Sequence, residues 1–244
     1  MDLIKQTFWD NKYENSVVVP EISSKNALIK WLQVVFSLKK EGTCIEIGVF
    51  PGGYINVFGK LGYQISGIDL TPRVVELNDI FHSRNYLTGE FQQQDFFEFK
   101  PDKKYDIVYS FGFIEHFIDY KSVIVKHFDL VTDDGILFIV VPNFRGKVQR
   151  FLHKILDNKN LKRHNLKSMN PKEWEDVFIE NNFEIIKQGY IGKFEFWTGI
   201  KNKYIKITVH RIFKFIIAPV LRLFLPKSSP SFSPYCGIIA KKKG

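Results

Sequence analysis

The sequence predicts an α/β fold, a parallel sheet with helices on both faces, and three observations carry that expectation. The stretch Thr43 to Leu70, TCIEIGVFPGGYINVFGKLGYQISGIDL, reads as strand, Gly-rich turn, helix and second strand, a βαβ unit. Further strand-like runs follow at Tyr105 to Ser110 and Ile136 to Val141, with a segment of helical periodicity between them. At 244 residues, 45% hydrophobic and 25% charged, the chain can bury a sizeable core and contains no long span that reads as disordered.

The elements can be justified in order. Phe8, Trp9 and Tyr13 make the first segment aromatic before Pro20 interrupts it; such a segment covers a ligand or packs on the core, and the second is favoured. From Ser24 to Leu38 the apolar residues Ala27, Leu28, Trp31, Leu32, Val34, Val35 and Leu38 recur at helical spacing, and Lys39, Lys40 and Gly42 supply a stop. Thr71-Pro72 opens a helix running to about Arg84, since proline in the first turn loses no hydrogen bond. Glu90 to Asp95 reads as a short polar strand. After Tyr105 to Ser110, a helix is expected from Asp119 to Leu130, then a turn at Asp133-Asp134-Gly135 and the strongest strand, Ile136 to Val141, closed by Pro142-Asn143. Gly146 to Leu156 reads as a basic helix, Asn158 to Asn170 as a cationic loop, Pro171 to Glu180 as a helix, and Phe183 to Gly189 and Tyr235 to Ala240 as strands.

Charge is divided unequally. Up to Val141 there are 14 Lys and Arg against 19 Asp and Glu; from Pro142 there are 21 against 7, so the net charge of +9 belongs to the C-terminal part. That imbalance suits an anionic partner, a membrane or a phosphorylated substrate, as well as a plain solvated lysine surface. Nucleic acid is disfavoured, because the basic residues are interleaved with apolar ones and no stacking platform or RNA-binding module is recognisable. Cys44 and Cys236 lie in apolar runs without metal-ligand spacing and read as buried hydrophobes. The first fifteen residues lack the apolar core of a signal peptide, which favours a cytoplasmic setting.

The chemistry begins at the βαβ unit. Glycines at the end of the first strand let a backbone approach a ligand closely, and an acid at the tip of the second, Asp69, can accept both hydroxyls of a ribose. A nucleoside-bearing cofactor is the expectation. EIGVFPGG at the first strand, GIDL at the second, QQDFF after the third, YDIVYSFGFIEHF at the fourth and DGILFIVVPN at the fifth resemble, in order and spacing, the class I S-adenosylmethionine-dependent methyltransferases. Within them the resemblance is closest to the ubiquinone-biosynthesis O-methyltransferases and the small methyltransferases of bacterial glycan pathways. It covers residues 40 to 190 and the last strand. It implies a Rossmann-like, seven-stranded, mostly parallel sheet whose last strand inserts antiparallel. It also implies a single domain over 1–244, with an N-terminal helical cover at 1–40 and basic insertions at 142–182 and 191–234 forming a cap on the substrate side.

The same resemblance implies the roles of individual residues. Glu46 would hold the turn or reach the amino group of S-adenosylmethionine; Gly48, Gly52 and Gly53 would turn backbone amides toward its methionine portion. Phe50 stands where the family has its middle glycine, and a side chain there would narrow that end of the site. Asp69 would hold the ribose, with Leu70 and Phe96 against the adenine. Asp95 would accept from the adenine amino group or cap the following turn. Ser110, Phe111 and Gly112, at the end of the fourth strand, would face the transferred methyl group.

Glu115 and His116 are the sharpest catalytic candidates, since methyl transfer to a hydroxyl needs a base and histidine suits that task. Glu115 would orient His116 or, as in the related quinone methyltransferases, join it in holding a divalent cation; capping of the next helix is the structural alternative. His164 is a second base candidate. No metal site is assigned from the sequence.

Lys201 to Leu225, KNKYIKITVHRIFKFIIAPVLRLFL, places Arg211, Lys214, Ala218 and Arg222 on one helical stripe in an otherwise apolar segment too short to span a bilayer. It reads as an interfacial helix on an anionic membrane, with a lid or dimer helix as the competitor. The expected function is therefore an O-directed S-adenosylmethionine-dependent methyltransferase on a sugar or lipid-linked glycan intermediate. The alternatives are a cation-dependent methyltransferase of quinones or small aromatics, a nicotinamide oxidoreductase sharing the βαβ start, and a non-catalytic scaffold.

Overall fold

The computed structural model describes residues 3–4, 6–195, 203–217, 219–220, 224 and 228–244. Seven strands, β1 (Thr43–Ile47), β2 (Gln64–Asp69), β3 (Thr88–Gln93), β4 (Tyr105–Phe111), β5 (Val131–Pro142), β6 (Phe183–Ile191) and β7 (Tyr235–Lys242), form one sheet in the order β3-β2-β1-β4-β5-β7-β6. The first five pair in parallel, whereas β7 runs antiparallel to both β5 and β6. The chain is thus a mostly parallel, Rossmann-like sheet with a reversed last strand, as the sequence resemblance implies. That reversal separates it from the nicotinamide oxidoreductases that share its opening unit.

Side-chain alternation along the strands explains why both faces need helices. Ile45, Ile47, Val108, Leu137 and Ile139 point to one side, against α6 (Tyr120–Phe128) and α9 (Glu175–Glu180). Cys44, Ile65, Ile107, Tyr109 and Phe138 point to the other, against α2 (Ala27–Trp31), α3 (Gln33–Leu38), α4 (Gly53–Lys60) and α5 (Glu76–Ser83). On that second face Phe58, Tyr109 and Phe138 stack, with adjacent ring centroids 5.0 and 4.5 Å apart.

Several boundaries differ from the sequence reading. The expected single helix over Ser24 to Leu38 is two short ones meeting at Leu32. The third strand lies two residues earlier than expected, at Thr88–Gln93, because Asn78 on α5 receives the Phe91 N–H and donates to its carbonyl, fixing that segment to the helix. The turn at Asp133-Asp134-Gly135 falls inside β5 as an irregularity in its pairing with β4, with Asp134 in the left-handed region (φ 62°). Residues 158–170, expected as an open loop, contain α8 (Asn158–Leu161) after α7 (Lys147–Leu156), and a 3-10 turn at Leu166–Ser168. Asn165 ties this segment down, donating from its backbone to Glu115 O (2.7 Å) and from its side chain to Phe117 O (2.9 Å).

Among the described residues, helices also lie at α1 (Gln6–Tyr13) at the start and at α10 (Lys203–Ile212) in the segment before β7, followed by a π-helical turn at Phe213–Ile217. Of the expected basic stripe, Arg211 is exposed, while Ala218 and Arg222 lie outside the described residues. Among the described residues no helix is long and apolar enough to cross a membrane.

Gly52 shows how tightly the turn after β1 is packed. It sits at φ 89°, and a Cβ there would stand 2.8 Å from Leu77 Cδ2. Gly52→Ala is expected to destabilise the chain by about 1–3 kcal/mol, read as a lower urea midpoint at unchanged slope.

Candidate active site

The carboxyl ends of β1, β2 and β4 open onto one cavity of about 970 Å³, the place where parallel α/β sheets bind ligands. Of the residues expected there, Glu46, Gly48, Phe50, Gly53, Asp69, Leu70, Asp95, Phe96, Phe111, Gly112, Glu115, His116 and His164 all line it. Two do not. Ser110 is fully buried under the rim, because β4 runs on to Phe111. Gly52 faces Leu77 and Phe81 rather than the cavity.

Asp69 organises the rim. Its Oδ2 accepts the Phe50 N–H and its Oδ1 the Thr71 N–H, both at 3.0 Å, so the tip of β2 holds the turn that leaves β1. A carboxylate has about four acceptor positions, so beyond these backbone donors and Leu70 it can still accept a ligand hydroxyl. Burial pushes this carboxyl up to about 6, against the pull of its backbone donors, so it is largely ionised at neutral pH.

Within the turn, the Gly48 and Gly52 amides have partners inside the protein, while Gly53 lines the cavity at the start of α4. The Gly48 and Val49 N–H groups donate to Ile68 O (2.9 and 3.2 Å), and the Gly52 N–H to Val49 O (2.7 Å). Gly48 is nevertheless restrictive: it sits at φ 73°, and a Cβ would come within 3.0 Å of the Phe113 ring. Phe50 lines the cavity. Its ring packs edge-on against Tyr13 (5.0 Å) and under the Arg73 guanidinium (5.1 Å).

Glu46 is buried, accepting from the Tyr109 hydroxyl (3.0 Å) and from the Ile55 backbone at the start of α4. Burial raises its carboxyl well above the usual range. At the other end, Asp95 Oδ1 accepts the Phe97 N–H (2.8 Å), a capping contact, while the residue also lines the cavity beside Phe96.

Glu115, His116 and His164 come together at one wall, with one ligand-capable atom from each lying within 4.8 Å of the others. Glu115 Oε1 is 3.7 Å from His116 Nε2, and Oε2 is buried without a hydrogen-bond partner. The His116 and His164 rings are 4.9 Å apart. His164 Nδ1 is 2.6 Å from Asn160 O, which fixes that nitrogen as the N–H and leaves Nε2 as the one with a lone pair. Burial pushes Glu115 up to about 8 and lowers His116 to about 3 and His164 to about 4. The wall therefore carries neutral imidazoles beside a carboxyl that resists ionisation. Such a trio can accept a proton at an imidazole, or hold a divalent cation through two nitrogens and a carboxylate.

Helix α1, with no catalytic role in the sequence reading, supplies part of the cavity lining. Trp9 packs edge-on against His116 (4.9 Å), Lys12 lies over Trp9 (4.4 Å), and the Leu3 N–H donates to His116 O (2.7 Å). Arg163, also unassigned from sequence, lines the same space with its guanidinium 4.2 Å from the Phe8 ring centroid. The aromatic spacing of Trp9 and Tyr13, one helical turn apart, was the available signal for this face; nothing local marked Arg163.

A family model described as a methyltransferase domain matches residues 23–188. The chain belongs to that family, the class I S-adenosylmethionine-dependent methyltransferases, and S-adenosylmethionine is its cofactor. Among similar solved structures is magnesium protoporphyrin IX methyltransferase from Synechocystis with bound S-adenosylhomocysteine, at 14% identity and TM-score 0.57, covering 88% of this chain and 80% of that one. Another is the N-methyltransferase NodS from Bradyrhizobium japonicum with S-adenosylhomocysteine, at 10% identity and TM-score 0.55, covering 88% and 85%. A third is the plantazolicin methyltransferase BpumL with a triazolic desmethylPZN analogue and S-adenosylhomocysteine, at 15% identity and TM-score 0.56, covering 89% and 83%. These likenesses concern the fold. No curated protein matches the chain significantly.

The buried Glu115 has a signature in stability. A carboxyl raised in the folded state stabilises below its ordinary value of 4.5, and that contribution is lost as pH rises toward about 8. Glu115→Gln is therefore expected to be more stable than wild type above pH 8, by up to a few multiples of ~1.4 kcal/mol. The gap should close as pH falls to 4.5, in urea titrations compared across pH.

Proposed function

We propose that the chain is an O-directed methyltransferase acting on a sugar or lipid-linked glycan intermediate. The observation that carries this reading is the Glu115, His116 and His164 trio in the wall of the cavity edged by Asp69. The cofactor supplies a methyl group on a sulfonium, already a good leaving group, so the protein's work is to align the acceptor and take its proton.

Asp69 would hold the ribose hydroxyls, Leu70 and Phe96 the adenine faces, Asp95 the adenine amino group and Glu46 the charged end of the methionine portion. The cavity suits these roles, since two carboxylates, an apolar pair and a further buried acid open onto it together. His116 would accept the hydroxyl proton as the methyl group is transferred, being neutral at physiological pH, and the Glu115 carboxyl, 3.7 Å from its Nε2, would orient the ring. His164, oriented by Asn160, buttresses the His116 ring. Trp9 covers the ring's edge and limits water there. The basic C-terminal part supports an anionic acceptor such as a lipid-linked phosphate ester.

The presence of His164 as a third donor favours one second reading, methylation of a quinone or small aromatic with a cation held by Glu115, His116 and His164. Bound metal measured by elemental analysis after loading with Mg²⁺, Mn²⁺ or Zn²⁺ decides between them. Stoichiometric metal in wild type, absent from His164→Ala, would establish the second reading; metal-free wild type leaves the proton-transfer role.

Calorimetry with S-adenosylhomocysteine tests the site. Binding is expected in wild type, at least about tenfold weaker in Asp69→Ala, and weakening as pH falls through about 6, where Asp69 protonates. No binding by wild type would refute the reading. His116→Asn is expected to keep that affinity while kcat on the true acceptor drops by about 10²–10⁴.

A further inference from the structure

Helix α7 presents three different faces. At about 100° per residue, Gln149, Leu152, His153 and Leu156 fall on the side turned to the protein. Val148, Phe151 and Ile155 form an exposed apolar stripe, and Lys147, Arg150 and Lys154 an exposed basic stripe directly beside it. Phe151 and Ile155 are 62% and 64% exposed, high for such side chains on a helix that is otherwise anchored. No acid lies between Gly146 and Leu156.

The segment before β7 emerges from the same place. Gln149 Nε2 donates to Glu195 O (2.6 Å) and to Phe232 O (2.8 Å), and the Val148 N–H to Ser231 O (3.0 Å), so Glu195, Ser231 and Phe232 are held at the start of α7. Between Glu195 and Tyr235 the sequence carries seven Lys and Arg and no acid. Within it Ile207, Ile216 and Phe224 are exposed.

We propose that the apolar and basic stripes of α7 dock on an anionic phospholipid bilayer. Apolar side chains enter the interface while adjacent lysines and arginines meet lipid phosphates, which is the chemistry both stripes present together. A second copy of this chain fits poorly, because it would bring the same acid-free basic surface against itself.

The position of this face also bears on the acceptor. Helix α7 runs through Asp157 into α8, and Asn160 of α8 together with Arg163 and His164 just beyond it line the cavity. A chain docked through α7 therefore has the wall of its site continuous with the bilayer-facing helix. Resting on the methyltransferase reading, this places the acceptor in the class of membrane lipids with a hydroxyl-bearing headgroup, presented at the bilayer surface.

Flotation of the full chain tests the docking, and calorimetry with S-adenosylhomocysteine, run in parallel, tests the underlying reading separately. Wild type is expected to float with vesicles of equimolar phosphatidylglycerol and phosphatidylcholine, to stay behind with phosphatidylcholine alone, and to be released by salt. The exposed-residue variants Phe151→Ser/Ile155→Ser and Lys147→Glu/Arg150→Glu/Lys154→Glu should each lower partitioning by about tenfold or more, with affinity for S-adenosylhomocysteine unchanged. Wild type that remains off anionic vesicles overturns the proposal, and a dimer by light scattering under those conditions would assign the face to a second copy. Equal flotation of wild type and both variants also overturns it, since the contact then lies elsewhere.

Discussion

The pair of hydrogen bonds at Asp69 is the constraint from which the site follows. One carboxylate receives the amide that leaves the turn after β1 and the amide that follows the tip of β2, so two loops that sequence alone leaves independent become one rim. The cost is a carboxyl partly withdrawn from water, visible in its upward shift. Backbone donors offset that cost while leaving the carboxylate able to accept a ligand hydroxyl. Around this rim the sheet brings β4, and with it the turn carrying Glu115 and His116, to the same cavity.

The electrostatics of the opposite wall complement those of the rim. Asp69 is an ionised acid near neutrality; Glu115 resists ionisation, and the two histidines resist protonation. A wall of this kind is close to neutral before the reaction and has room for one proton afterwards. Asn165 matters here without touching the reacting atoms, because its three hydrogen bonds hold the His164 segment against the Glu115–Ile118 turn. Helix α1 closes the other side with aromatic surface and Lys12.

Much of this was legible in the sequence because it depends on local pattern. Period-two apolar runs gave the strands, and the glycine-rich turn followed by GIDL located the rim; the order of the motifs implied the reversed last strand. What escaped depended on single-residue phase or on distant contacts. Extending β4 by one residue to Phe111 puts Ser110 beneath the rim instead of on it. Gly52 is required by Leu77, a residue twenty-five positions later, and the Gly48 and Val49 amides are taken by Ile68 on the neighbouring strand. The docking of residues 158–170 rests on Asn165, whose partners lie nearly fifty positions away. No composition or periodicity encodes such pairings.

The account's central claim is that one cavity joins a cofactor held at Asp69 to a proton acceptor at His116. A crystal structure of the chain with S-adenosylhomocysteine tests it most directly. The account predicts ribose hydroxyls on the Asp69 carboxylate and the sulfur directed toward the Glu115, His116 and His164 wall. A ligand whose ribose lies away from Asp69, or whose sulfur points away from that wall, would contradict it.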